Sequence, residues 1–202
     1  MYRGIALALS AATLTATLTT LPATAQRMSD SYEFLKAVKD ANGNKVTEML
    51  DKPGSTIVNT RETDSGDTAL HIVTRRGDSA YVRFLISRGA AINAQDARGN
   101  TPLLLAVNGN CQDCIDTLLA RRANVNLGNA SGETPLIRAV QLRNLSLAEQ
   151  LLKAGANPDQ TDRVAGMTAR DYAKVDNRSP QLTKLLTEAP KASARGVSGP
   201  RL

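Results

Sequence analysis

One phrase recurs along this chain. It reads Gly66-Asp67-Thr68-Ala69-Leu70-His71, then Gly99-Asn100-Thr101-Pro102-Leu103-Leu104, then Gly132-Glu133-Thr134-Pro135-Leu136-Ile137, and in a degenerate form Gly166-Met167-Thr168-Ala169-Arg170-Asp171. The leading glycines fall at intervals of 33, 33 and 34 residues. A fixed period of this length means that one supersecondary unit is copied, and that each copy buries its apolar face against its neighbours. The parts of the phrase have separate physical roles. Glycine permits the positive φ of a tight turn. Threonine caps a helix with its hydroxyl. Proline in the two middle copies occupies the first helical position, where its missing N–H costs nothing.

Each unit holds two short helical patterns. In the first, Leu70 and His71 precede Gly77, and Val82, Phe84, Leu85 and Ile86 lead to Gly89-Ala90. In the second, Leu103, Leu104, Ala106 and Val107 serve one helix and Ile115, Leu118 and Leu119 the other, but Asn110 and Arg122 stand at the two glycine positions. The close of that second helix is therefore expected to be less regular. In the third, Arg143 replaces the inter-helix glycine, while Gly155-Ala156 is kept. Upstream, Asp30-Ser31-Tyr32-Glu33 has the form of a capping box opening a helix near Ser29, and Phe34, Leu35, Ala37 and Val38 give it an apolar face. After a turn at Asn42-Gly43-Asn44, Val46, Met49 and Leu50 supply a second helix. At the other end, Ser179-Pro180 opens a last helix buried by Leu182, Leu185 and Leu186.

Only 3% of the 202 residues are aromatic and none is Trp. A stack of thin aliphatic layers tolerates that composition, because each unit packs only on its neighbours. The formal charge of +6 is concentrated at the ends. Residues 26–188 hold 21 Lys and Arg against 19 Asp and Glu, and the basic tail has no interleaved aromatics, so nucleic acid is not an expected partner. Met1-Tyr2-Arg3, an uncharged stretch to Leu21, Pro22 and Ala23-Thr24-Ala25 together form a secretory leader with an A-x-A cleavage pattern before Gln26. The expected mature chain is a soluble monomer in the periplasm or secreted, without membrane insertion after cleavage.

The repeated phrase, its period and the Gly-Ala helix closures resemble the ankyrin-repeat family from about Ser29 to Glu188. The resemblance implies an all-α solenoid of helix-turn-helix units with β-hairpin fingers. The expected organisation is a signal peptide at 1–25, an ankyrin-repeat domain at 26–188 and a disordered basic tail at 189–202. Within the domain an N-terminal cap spans 29–62, repeats span about 63–95, 96–128 and 129–161, and a C-terminal capping repeat spans 162–188. The resemblance further implies a non-enzymatic module that binds another protein through a concave face, as an adaptor, inhibitor or accessory factor. Carried over position by position, that face holds Asp64, Asp67, Arg75, Arg76, Arg98, Asn100, Asn108, Glu133 and Gln141, with Arg75, Arg76 and Arg98 as its most distinctive group.

Two features stand outside the repeat pattern. Cys111-Gln112-Asp113-Cys114 has the spacing of a redox-active or metal-binding pair. No second cysteine pair supplies the remaining ligands of a zinc site, so no metal is expected. The pair is open to three readings: a local disulfide, a small buried residue at Cys114, or a thiol-redox function. His71 is the one histidine and has no nucleophile or carboxylate at a readable spacing, so a structural role is expected, with no catalytic residue and no cofactor. An effector exported beyond the periplasm is the other alternative.

Overall fold

The computed structural model describes residues 23–176 and 178–190, with side chains from residue 30 onward. Ten α-helices are present among the described residues: α1 (Ala23–Lys39), α2 (Gly43–Leu50), α3 (Ala69–Arg75), α4 (Ser79–Ser87), α5 (Pro102–Asn108), α6 (Gln112–Ala120), α7 (Pro135–Gln141), α8 (Leu145–Lys153), α9 (Ala169–Val175) and α10 (Pro180–Glu188). They form five antiparallel hairpins. The inner helices α1, α3, α5, α7 and α9 pack in sequence on one another, and the outer helices stack behind them. The buried layers are aliphatic, with Leu70, Leu103, Leu104, Leu136 and Ile137 on the inner row and Val82, Leu85, Ile115, Leu118, Leu147 and Leu151 on the outer row. Phe34 is the one Phe or Tyr side chain with no solvent exposure among the described residues.

The middle inner helices begin as their sequence dictates. Thr101 and Thr134 accept the N–H groups of Leu104 and Ile137 at 3.2 Å, and Pro102 and Pro135 follow in the first turn. Four of the five outer helices, α2, α4, α6 and α8, are capped by a side chain at one register position, whereas Ser179 at the start of α10 makes no such bond. Asn42, Asp78 and Asn144 accept from Lys45, Tyr81 and Leu147, and Cys111 accepts from Cys114. The residue just before each cap is left-handed: Ala41, Gly77, Asn110 and Arg143, at φ 54°, 76°, 50° and 54°.

Three expectations are corrected. Arg122 takes φ 60° where Gly89 takes 87°, and its N–H and that of Ala123 bond the carbonyls of Leu119 and Leu118 as the glycine closures do. That helix end is therefore fully formed, because tertiary packing imposes the left-handed residue. Helix α1 starts at Ala23, so Asp30 and Glu33 lie within it and do not cap its start. The turn after α1 centres on Ala41 and Asn42, and Gly43 already belongs to α2. Residues 1–22 of the expected leader and 191–202 of the expected tail lie outside the described residues.

The projecting segments between hairpins differ from expectation too. Among the described residues they contain no strand, only single bridges at Arg61–Thr68 and Thr161–Thr168. They are turns closed by side chains. Asp96 Oδ1 accepts the N–H groups of Arg98 and Asn100, Asn129 those of Ser131 and Glu133, and Asp162 those of Val164, Ala165 and Gly166. Successive turns are tied by one backbone bond each: Ala97 N–H to Ser65 O at 2.9 Å, Ala130 to Arg98 at 2.9 Å, and Arg163 to Ser131 at 2.8 Å. One bond per step sets the spacing of the stack without a ladder.

Candidate protein-binding groove

The tips of the first three projecting turns and the ends of α3 and α5 enclose an open groove of about 880 Å³. Asp64, Asp67, Arg75, Arg98, Asn100 and Asn108 line it, and Asp96 and Leu105 join them. The structure thus brings together six of the nine positions carried over from the sequence.

Their roles within the groove differ. Asp67 is buried and receives the Arg75 guanidinium in two bonds, Nη1 to Oδ2 at 3.0 Å and Nη2 to Oδ1 at 3.2 Å. Arg75 also lies 3.5 Å from Asp96 Oδ2. The Asp67 and Asp96 side chains are 6% and 4% exposed and that of Arg75 is 53% exposed. Asp67 is therefore an anchor, with Asp96, that fixes the orientation of Arg75. Asn100 donates its side-chain amide to Asp96 at 3.0 Å, and its carbonyl accepts from His71 Nε2 at 3.1 Å. Arg98 and Asp64 are exposed on neighbouring tips, and among the described residues no ion pair engages either one.

Arg76 is not in the groove. It caps the end of α3, donates to Val38 O at 3.0 Å, pairs with Asp78 at 3.1 Å and lies 5.8 Å over the Tyr81 ring. The adjacent residues Arg75 and Arg76 diverge because both are still helical, Arg76 at φ −75° and ψ −14°, and successive helical residues point about 100° apart. Glu133 and Gln141 are further along the stack, where both neighbour Arg138, at 3.8 Å and 3.4 Å. They form a second polar stretch ending near Tyr172, which donates to Asp162 and holds that carboxyl below its ordinary range.

His71 lies beneath the groove with no solvent exposure. Its Nδ1 accepts the Thr68 N–H at 3.1 Å and its Nε2 donates to Asn100 O. Burial lowers its pKa below the ordinary range, and the acceptor at Asn100 opposes this only in part. It couples the helix cap of one repeat to the projecting turn of the next. Cys111 and Cys114 form a disulfide, S–S 2.14 Å, at the start of α6. Among the described residues no group of three or more His, Cys, Asp or Glu side chains is arranged to hold a metal ion, and no helix is long and apolar enough to cross a membrane.

Sequence reasoning missed Asp96. A signal was present: Asp96, Asn129 and Asp162 stand at equivalent positions ahead of Gly99, Gly132 and Gly166, and each closes its projecting turn.

A family profile described as Ankyrin repeats (3 copies) matches residues 34–129 and 93–162, more than half of the chain. This chain belongs to the ankyrin-repeat family, whose repeats mediate protein–protein interaction. An ankyrin repeat protein of Pyrobaculum aerophilum is 42% identical over 50 residues, covering 25% of this chain and 19% of that protein. An Arf-GAP with ANK repeat and PH domain-containing protein of Caenorhabditis elegans is 55% identical over 38 residues, 19% of this chain and 5% of that one. Human diacylglycerol kinase iota is 32% identical over 66 residues, 33% of this chain and 6% of the kinase. These matches span a fifth or less of the relatives' own lengths, and they lie in repeats.

Proposed function

We propose that this protein is a non-enzymatic binding module acting in the periplasm or after secretion, as an adaptor, inhibitor or accessory factor. Its partner is another protein whose exposed segment lies in the groove of the first three repeats. The observation that carries this reading is the groove itself: Arg98 and Asp64 stand exposed at its rim, while Arg75 is held rigid by two buried carboxylates. Arg98 offers a donor fork and Asp64 an acceptor, in a lining of two guanidiniums and three carboxylates that suits a segment of mixed charge. Arg is enriched among binding hot spots.

The test is capture from periplasmic extract by the mature chain, then quantitative binding of each captured protein to Arg98→Glu and Asp64→Lys. Weakening by at least roughly tenfold is expected for Arg98→Glu. Unchanged binding of every captured protein to both variants refutes the groove. The compartment is checked separately by fractionation and N-terminal sequencing, with a mature chain starting at Gln26 expected. A chain retaining its leader in the cytoplasm contradicts the extracytoplasmic assignment and leaves the groove untouched.

A further inference from the structure

We infer that Cys111 and Cys114 form a thiol–disulfide exchange site rather than a structural staple. Three observations lead there. The first is register. At the N-cap of the outer helix three of the other four hairpins carry Asn42, Asp78 and Asn144, each accepting the N–H three residues on. Cys111 Sγ stands at the same position and accepts from Cys114 N–H at 3.3 Å. The helix start is thus identical in hairpins that have no disulfide, and the fold does not depend on the bond. A loop this short also removes little entropy from the unfolded chain.

The second observation is asymmetry. Cys114 is fully buried among the core residues, whereas Cys111 is only partly covered. An incoming thiolate therefore reaches one sulfur only. The third is the reduced state. A freed Cys111 thiolate takes the place that the Asp78 carboxylate holds in the preceding repeat, with the same N–H donated to it. Donors at a helix N-terminus favour the thiolate. Reduction then leaves the cap satisfied and the helix intact.

The chemistry balances with a low-molecular-weight thiol as reductant. Its thiolate attacks Cys111 Sγ, the S–S bond breaks, and the electron pair passes to Cys114 Sγ, which takes a proton from water. A mixed disulfide remains on Cys111. A second thiolate attacks the small-molecule sulfur of that bond and expels Cys111 as thiolate. The sum is two thiols oxidised to one disulfide and the Cys111–Cys114 disulfide reduced to two thiols.

The test uses the full chain in graded glutathione buffers without denaturant, quenched with acid and mapped by mass. Reversible reduction is expected, with glutathione on Cys111 in roughly tenfold or greater excess over Cys114, and with helical circular dichroism unchanged. Reduction only after unfolding overturns the inference, as does glutathione spread evenly over both cysteines or loss of helix on reduction. Two variants give an independent reading. Cys114→Ala is expected to trap the mixed disulfide on Cys111. Cys111→Asp, which keeps an oxygen cap, is expected to leave Cys114 unreactive in the native state. Equal labelling of the two variants overturns the assignment.

Discussion

His71 is buried with one ring nitrogen accepting and the other donating, so charging the ring breaks the bond that its Nδ1 accepts from the Thr68 backbone N–H. Its pKa is lowered in the folded state by burial. As pH falls, the unfolded chain takes up this proton first, near the ordinary histidine value of about 6.5. The unfolded state then binds more protons, and stability falls with pH below that point until the folded ring also titrates. Chemical denaturation from about pH 7 down to about pH 5 is expected to show this loss. His71→Gln keeps an acceptor for Thr68 and a donor for Asn100, and is expected to abolish the slope. A slope unchanged in His71→Gln assigns it to other groups.

The left-handed residues give a second prediction at this scale. A side chain at positive φ costs about 1–2 kcal/mol in intrinsic backbone energy, partly offset by the greater unfolded-state freedom of glycine. Arg122→Gly is expected to raise unfolding stability by about 0.5–1 kcal/mol. Arg143→Gly is expected to gain less, because Arg143 also pairs with Asp176 at 2.5 Å. Equal or negative values at Arg122 contradict the reading of that helix end. The sequence displayed these substitutions openly. What it did not display is that neighbouring repeats hold the backbone left-handed regardless, since that constraint comes from packing rather than from the residue.

The projecting turns are the elements on which the stack is aligned. An added Cβ on Gly99, at φ 76°, would lie 2.7 Å from the backbone N of Ala130, the atom that donates to Arg98 O. Gly99→Ala therefore combines positive-φ strain with a clash against backbone that cannot swing aside. A loss of about 2–4 kcal/mol is expected in denaturant unfolding, with faster amide exchange at Ala130. By contrast Gly89 has open space around its Cβ position, and Gly89→Ala is expected to cost only the strain, about 1 kcal/mol. Similar costs at the two sites contradict the alignment role. The helices of these elements were legible because Thr-Pro starts and aliphatic spacing are local signals. The projecting turns are short hairpin-like closures that form no strand: a backbone bond spans each, as Asp96 N–H to Asn100 O at 3.0 Å, and the side chains of Asp96, Asn129 and Asp162 take the N–H groups between, a detail that the glycine period does not carry.

For the molecule as a whole, the period of the repeated glycines carried the solenoid and its order of hairpins almost completely. The groove was legible in part. Register placed Asp64, Arg98, Asn100 and Asn108 together, but gave Asp67 and Arg76 the same standing as Arg98. Burial separates them: Asp67 lies under Arg75, and Arg76 turns toward α1. A single sequence does not report which of two adjacent helical arginines faces the groove. This distinction governs how binding is tested. Arg75→Met leaves Asp67 and Asp96 without their cation and is expected to lower stability by about 1–3 kcal/mol. A binding loss in that variant therefore mixes folding with recognition. Among the described residues Arg98 has no carboxylate to abandon, so its reversal reports recognition more directly.

The most direct measurement is site-specific photocrosslinking in periplasmic extract, with one probe at Asn108 inside the groove and one at Glu149 on outer helix α8. A discrete partner adduct is expected from Asn108, lost in the Arg98→Glu background, with none from Glu149. The same adduct from Glu149 in equal yield, or an Asn108 adduct unaffected by Arg98→Glu, would contradict binding in the groove.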